Sequence, residues 1–310
     1  MSDSAGTSWL DTGARKWSAA LLSATGLDEK HMPSLVEGTD EAGVLRSELA
    51  SEWGISGRVV VAGGAGDNAA SACGMGTVAE GQAFVSLGTS GVLFTANGSY
   101  LPKPESAVHA FCHALPVTWH QMGVILSATD ALNWLSGITG KAAGELTGGL
   151  GNTLKAPGSV TFLPYLSGER TPHNHPQASG VFLGLRSRHG PAELAWSVME
   201  GVGFGLLDGL QAMGPAPAQV PSQGPAAFSL VGGGARSDVW AGLLASGLGC
   251  TLLRPVGADA AAALGAARLA WLADGGDEAT VCQVLPTQAC FEPEPELQHV
   301  DRRALQPRAA

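Results

Sequence analysis

The chain has 310 residues, 45% hydrophobic and only 14% charged, with a formal net charge of −10 from 17 basic and 27 acidic side chains. A chain of this length buries a substantial core, as one large or two medium domains. Its acidity and lack of a basic cluster argue against nucleic acid or an anionic membrane surface as a partner.

Five cysteines (Cys73, Cys112, Cys250, Cys282, Cys290) are odd in number and scattered. That usage fits a reduced, cytoplasmic setting better than a disulfide framework. The first residues, Met1-Ser2-Asp3-Ser4, offer neither the basic nor the apolar region of a secretion signal, and no apolar run reaches membrane-spanning length.

In chain order, residues 17–24 have mixed helical character and lead to turn signals at Gly26 and Pro33. Residues 46–53 read as helix. The run Val59-Val60-Val61-Ala62 reads as a strand, Gly63-Gly64-Ala65-Gly66 as a sharp turn, and Asp67-Asn68-Ala69-Ala70-Ser71 as a helix start. Two apolar strands joined by Gly88-Thr89-Ser90 predict a hairpin over residues 84–94. Further strands are expected at 108–112 and 119–123, a helix at 127–138, a glycine-rich connection at 147–158 and a strand at 159–165. Apolar spacing predicts a long core helix over 191–213. Residues 214–225, with four prolines, read as a linker or surface loop. A strand at 228–231 enters Gly232-Gly233-Gly234, a helix over 238–247 leaves it, and an alanine-rich helix covers 259–273. The tail beyond Glu292 has little core potential.

Three of these places carry chemistry. Asp67 sits where a strand–turn–helix aims a carboxylate into a glycine-lined cleft, the place for a general base acting on a substrate hydroxyl. The plain alternative is an ordinary N-cap. The Gly88-Thr89-Ser90 turn offers backbone N–H groups and two hydroxyls to phosphate oxygens, though ordinary hairpins look alike. The triple glycine, followed by Ala235-Arg236-Ser237, can hold a nucleotide against bare backbone at a helix N-terminus.

Together with Gly180-Val181-Phe182-Leu183-Gly184-Leu185 and, seven residues on, Glu193-Leu194-Ala195-Trp196-Ser197-Val198-Met199-Glu200, these stretches resemble the FGGY carbohydrate kinases. The likeness extends to Gly6-Thr7-Ser8-Trp9-Leu10-Asp11, Val108-His109-Ala110-Phe111-Cys112-His113, Ser167-Gly168-Glu169-Arg170-Thr171-Pro172-His173 and Ala263-Leu264-Gly265-Ala266-Ala267-Arg268, in order along nearly the whole chain. It implies an α/β, actin/hexokinase-like (ribonuclease H-like) fold. Residues 1–78 would be the second half of a first domain carrying the catalytic Asp, and 79–310 a complete nucleotide-binding second domain.

The resemblance is nearest to the xylulose-phosphorylating branch. It implies ATP and Mg²⁺ as cofactors and a ketopentose, D-xylulose, as the acceptor, with ribulose, glycerol or another polyol as alternatives. Asp67 would be the base, Asp67 and Asn68 would meet the sugar, and Gly88, Thr89 and Ser90 would hold the β- and γ-phosphates. Gly232, Gly233, Gly234 and Ala235 would approach the adenosine and α-phosphate. No metal ligand is assigned.

The match begins inside the family pattern. It therefore implies that a first phosphate loop and part of the sugar pocket are absent, with a weak or inactive kinase as the expectation for the chain alone. Exposed strand edges would follow, and a homodimer or swapped partner would be a way to cover them. A non-catalytic nucleotide-binding fragment is the competing expectation. Asp11-Thr12-Gly13 superficially resembles the phosphate loop or an aspartic-protease triplet. No strand of useful length precedes it and no second such triplet exists, so both readings are rejected.

Two further motifs are weighed. Glu169–Arg170 reads first as a surface or interface ion pair, ahead of substrate contact. His109 and His113 should share one face of a strand with Cys112 on the other, which speaks against structural zinc. His173 and His175 read as loop surface.

Overall fold

Pleating separates the side chains of the central strands into two layers. In the Ala83–Leu87 strand, Phe84 points to one face and Val85 and Leu87 to the other, and Phe94 and Leu93 opposite them divide the same way. This computed structural model describes residues 1–151, 153–214 and 227–294. The stretch read as a linker, apart from Gly214, and the tail from residue 295 lie outside the described residues.

Seven strands hydrogen-bond in the order Thr287–Phe291, Thr251–Pro255, Ala227–Val231, Ala83–Leu87, Gly91–Asn97, Trp119–Ile125, His109–Cys112. Ala227–Val231 runs parallel to both of its neighbours, and every other pair is antiparallel. The Val85–Leu87–Leu93–Ile125 face is covered by the helices Thr129–Thr139, Pro191–Met213 and Asp238–Leu248. Val202, Leu206, Trp240 and Leu244 from those helices lose essentially all solvent contact there. The Phe84–Phe94–Met122 face is covered by the Asp67–Met75 helix through Ala72 and Met75, and by Ala261 at the start of the Ala261–Ala273 helix.

Those last two helices cross with almost no side chain between them. A Cβ on Gly74 would lie 1.9 Å from the Ala261 carbonyl oxygen, and one on Gly265 would lie 1.7 Å from that of Ala70. Arg268 finishes the contact by donating from Nη1 to the Cys73 and Gly74 carbonyls at 2.8 and 2.9 Å. It thereby satisfies the Gly74 carbonyl, an acceptor that the helix C-terminus leaves open, and adds to the Gly76 N–H already on the Cys73 carbonyl.

Most expected elements form. The 46–53 helix is Ser47–Glu52, the hairpin is Ala83–Leu87 with Gly91–Asn97, and the long helix is Pro191–Met213 as read. Three differences have local causes. The mixed region at 17–24 splits, because Trp17 pairs in the strand Lys16–Trp17 before Ser18 caps the Ala19–Ala24 helix. Within the connection expected at 147–158, the helix Ala143–Gly148 runs into its first two residues, with Glu145 closing back on the Ala142 N–H. The strands Glu41–Val44, Thr251–Pro255 and Thr287–Phe291 carry too little alternation to stand out, and they form because neighbouring edges are free for them. Val44, Trp53 and Val61, in and near the small Glu41–Val44/Val60–Ala62 sheet, are roughly half exposed.

The Asp11-Thr12-Gly13 triplet is a structural turn. Asp11 Oδ1 accepts from the Ala14 N–H, and the Thr12 carbonyl accepts from the Trp119 indole. His109 and His113 do lie on the opposite side of their chain segment from Cys112, which packs with Ala5 and Leu10. His113 and His120 are buried beside Phe94, and His120 stacks on it at 4.5 Å. No helix among the described residues is long and apolar enough to cross a membrane.

Two predictions follow from this packing. Replacing Gly265 with Ala forces the two crossing backbones apart and should lower stability by about 1–3 kcal/mol in urea unfolding. Gly137→Ala, on an open helix surface, should be neutral or stabilising. The second concerns acid. Burial holds the His113 imidazole down to about 4 and keeps His120 well below its usual value. The native state therefore binds fewer protons than the unfolded chain, and stability falls as pH drops from about 6.5 toward about 4. Among the described residues neither His120 ring nitrogen has a hydrogen-bond partner. His120→Phe keeps the stack, so it should lose less stability than the parent between pH 8 and pH 5.

Candidate active site

The Val60–Ala62 strand ends in glycines, and the backbone turns into the Asp67–Met75 helix with Gly66 in the N-cap position. Asp67 is thus the first helical residue and Gly66 the cap. Its carboxylate is exposed and sits in the favourable field of a helix N-terminus. Oδ1 accepts from the Asn68 backbone N–H at 2.7 Å and from Asn68 Nδ2 at 3.1 Å. Asn68, read as a sugar contact, has as its visible role the orientation of its neighbour. Ser2 Oγ accepts from the Gly66 N–H at 3.1 Å and steadies the turn from outside.

The 88–90 turn joins Leu87 to Gly91, which face each other across the hairpin. Its carbonyls are gripped by the N-terminus of the Thr129–Thr139 helix. Thr129 donates from its backbone N at 2.9 Å and from Oγ1 at 2.8 Å to the Gly88 carbonyl, and Ala128 donates to that of Thr89 at 2.8 Å. The Asp130 N–H adds a fourth bond, to the Thr89 carbonyl at 3.3 Å, so the turn is held by the start of another helix and not by hairpin geometry alone.

The triple glycine arrives beside it because Ala227–Val231 is parallel to Ala83–Leu87, with Val231 opposite Ser86. Gly232 has φ +92, and a Cβ there would lie 2.7 Å from the Leu87 carbonyl oxygen. A Cβ on Gly234 would press to 2.5 Å on Leu87 and 3.0 Å on the Thr129 methyl. Only bare backbone lets the two turns and Thr129 meet. Ser237 then caps the Asp238–Leu248 helix.

A cavity of about 580 Å³ opens on the Thr129 side of the glycines, lined by Asn133, Gly144, Thr147, Gly233, Ser237 and Trp240 among others. That volume lies in the range of small-molecule pockets. A second, of about 440 Å³, lies on the other side with Arg236, Arg254 and Asp259 in its wall. Arg254 donates to the Ala235 carbonyl at 2.7 Å and to Asp238 at 2.8 Å, so it ties the glycine loop to the next strand. Ala235 itself is buried, its carbonyl taken by that arginine.

The structure thus brings Gly88, Thr89, Ser90, Gly232, Gly233 and Gly234 to one place. Asp67 and Asn68 stand on a helix packed on the other face of the same sheet, and no hydrogen bond or ion pair among the described residues joins them to the turns. Thr129, Asn133 and Thr147 were not singled out from sequence. The Ser127-Ala128-Thr129-Asp130 run was a legible helix start, but nothing local said that it would clamp a distant turn.

The 168–173 loop corrects one reading. Glu169 and Arg170 form no side-chain ion pair. Glu169 is buried, its Oε1 accepts from the backbone N–H groups of Leu126 and Arg170, and burial raises its carboxyl above the usual range. Arg170 instead reaches His109 at 3.3 Å. Thr171 exchanges hydrogen bonds with Val124 and donates to the Ala107 carbonyl, so the loop extends the sheet where the short His109–Cys112 strand stops. His173 and His175 are exposed.

Comparisons with known proteins agree with this architecture. Residues 1–74 match the N-terminal domain, and residues 83–273 the C-terminal domain, of the FGGY family of carbohydrate kinases. The chain is 48% identical over 287 residues to the xylulose kinase of Escherichia coli K12, covering 92% of this chain and 58% of that protein. It is 48% identical over 297 residues to that of Klebsiella pneumoniae, covering 95% and 60%. The crystal structure of a "xyloylose kinase" from Brucella ovis superposes with a TM-score of 0.91 at 57% identity, over 96% of this chain and 61% of that one. A ligand-bound xylulose kinase from Lactobacillus acidophilus, at 23% identity, shares the fold with a TM-score of 0.83. The chain thus spans about 58 to 60% of the length of these curated relatives. Its α/β architecture is the actin/hexokinase-like one of the sugar kinases. On these matches, with two glycine turns set at one sheet end, the chain belongs to the FGGY family of carbohydrate kinases.

Proposed function

We propose that this chain carries the general base and the nucleotide cradle of an ATP-dependent ketopentose kinase, which transfers the γ-phosphoryl group to D-xylulose and yields D-xylulose 5-phosphate. The observation that carries the reading is the meeting of the 88–90 and 232–234 turns at Thr129, beside a cavity of about 580 Å³. The sugar is taken from the names of the relatives at 48% identity.

Phosphoryl transfer has a loose transition state, so the protein's task is positioning and charge stabilisation. Backbone N–H groups of the 88–90 turn, with the Thr89 and Ser90 hydroxyls, take the β- and γ-phosphates. The bare backbone of residues 232–234 lets the α-phosphate and ribose approach, with the base in the larger cavity. Asp67 accepts the proton of the attacking hydroxyl. Asn68 occupies Oδ1, which leaves Oδ2 for that proton. Magnesium enters this reading with the nucleotide phosphates. Among the described residues no group of three or more His, Cys, Asp or Glu stands ready to hold a cation, so no step is routed through it.

A second reading, nucleotide binding without turnover, is favoured by the separation of Asp67 from the glycine turns, since no hydrogen bond or ion pair among the described residues joins them. ADP release with MgATP and D-xylulose, beside nucleotide affinity from calorimetry, separates the two. Asp67→Asn should lower turnover by about 10²–10⁴-fold with ATP affinity nearly unchanged. Turnover in the parent that survives in the variant would rule out Asp67 as the base, and binding without turnover in the parent would establish the second reading. Thr129→Val should weaken ATP about tenfold through loss of the Gly88 contact, while Thr129→Ser keeps it. Equal affinity in all three proteins would mean that the clamp does not set the phosphate turn.

A further inference from the structure

The short His109–Cys112 strand pairs with Trp119–Ile125 only from Trp119 to Met122, which leaves the end of the longer strand with a bare edge. The 168–173 loop fills it. The Thr171 N–H donates to the Val124 carbonyl at 3.1 Å, and Thr171 Oγ1 accepts from the Val124 N–H at 3.0 Å. One step further along the same edge, Glu169 Oε1 accepts from the Leu126 N–H at 3.0 Å. A side-chain carboxylate thus does there what the carbonyl of a partner strand would do. Glu169 is itself tied down. Its N–H and carbonyl both bond to His175, at 3.0 and 2.8 Å, and Oε1 also accepts from the Arg170 N–H at 2.7 Å. The residue is only 2% exposed, so little water competes for its carboxylate.

Leu126 stands two residues before Ala128, the N-cap of the Thr129–Thr139 helix. Ala128 offers no side-chain cap, and the first N–H groups of the helix are taken up by the 88–90 turn. Ala128 and Asp130 donate to the Thr89 carbonyl, and Thr129 to that of Gly88. Only Ser127 separates the residue that Glu169 holds from the first donor to the turn. Peptide planes are rigid, so a displacement of Leu126 is passed on to Ala128.

We infer that Glu169 is a positioning residue for the 88–90 turn: by holding Leu126, it sets the strand exit from which residues 128–130 grip the Gly88 and Thr89 carbonyls. Without that acceptor, the Leu126 and Arg170 N–H groups lose their partner, and the exit regains one by swinging toward water. That movement draws the donors off the turn. The consequence for nucleotide binding rests on the proposed function, whereas the link between Glu169 and the turn does not.

Native-state amide hydrogen exchange on the full chain reads the link directly, because the Ala128 and Thr129 N–H groups are themselves the donors. In Glu169→Met both should exchange about tenfold faster or more, whereas Glu169→Gln, which keeps an oxygen for Leu126, should stay close to the parent. Acceleration confined to Leu126, or as large in Glu169→Gln as in Glu169→Met, would overturn the inference. Should Glu169→Met not fold, the parent decides. Its Leu126, Ala128 and Thr129 amides should open together, at rates within about tenfold of each other once corrected for sequence. Ala128 and Thr129 exchanging faster than Leu126 by more than that would show the clamp opening with the glutamate contact closed, and the inference would fall. Calorimetry with MgATP reads the consequence, an affinity about tenfold weaker in Glu169→Met and largely kept in Glu169→Gln. Affinity unchanged in Glu169→Met despite faster exchange would remove Glu169 from any part in binding. A parent that binds no MgATP but exchanges as expected would sustain the link and sink the nucleotide reading instead.

Discussion

Ala83–Leu87 and Ala227–Val231 are distant in sequence, yet their parallel pairing sets the position of nearly everything at the candidate site. The register places Leu230 opposite Val85 and Val231 opposite Ser86, so both strands reach their carboxyl ends level with each other. The 88–90 turn and the triple glycine then emerge side by side, at the end of an α/β sheet where ligands bind. Close approach is what the glycines permit. Side chains at 232 and 234 would collide with Leu87 and Thr129. Thr129, brought in by the helix on the Val85 face, then locks the first turn by its backbone and its hydroxyl.

The other face of the sheet does the corresponding work for Asp67. Ala72 and Met75 seat its helix on Phe84 and Phe94, and Phe84 lies four residues before Gly88. The helix is then held by a crossing so tight that carbonyl oxygens occupy the places of missing Cβ atoms, with Arg268 over its last carbonyls. Such a contact has little slack, because neither backbone can advance on the other. The carboxylate at one end of that helix and the 88–90 turn are thus linked through a single packed layer.

What was legible from sequence was whatever depends on short-range pattern. Residues 191–213 announce a core helix by apolar spacing, and the 84–94 hairpin by two apolar runs around a glycine turn. Asp67 and both glycine turns were read as candidates for the same reason, since strand–glycine–helix transitions are local. What was not legible depends on partners far along the chain. Thr129 looked like any helix start until the 88–90 turn was beside it. Glu169, adjacent to Arg170 in sequence, invited an ion pair. The Leu126 N–H, 43 residues away, and the cover of neighbouring side chains made it a buried acceptor instead. Thr251–Pro255 and Thr287–Phe291 become strands because an edge is waiting for them, and an edge is not a sequence property.

The electrostatics of the site follow from the same economy of side chains. A chain with net charge −10 has few cations to offer a polyphosphate. The two arginines nearest the glycine loop are already engaged. Arg236 meets Asp259 at 3.3 Å, and Arg254 meets Asp238 at 2.8 Å while it holds the Ala235 carbonyl. In the proposed reaction, recognition of phosphate therefore falls to backbone N–H groups and hydroxyls at the 88–90 turn and to the positive ends of helices. Their partial charges are fixed in direction by the fold and cost little to reorganise as charge moves. On that proposal an acidic chain and a nucleotide site are compatible, because the field at the phosphates would come from oriented peptide dipoles held by Thr129 and the glycines and not from the side-chain charge balance.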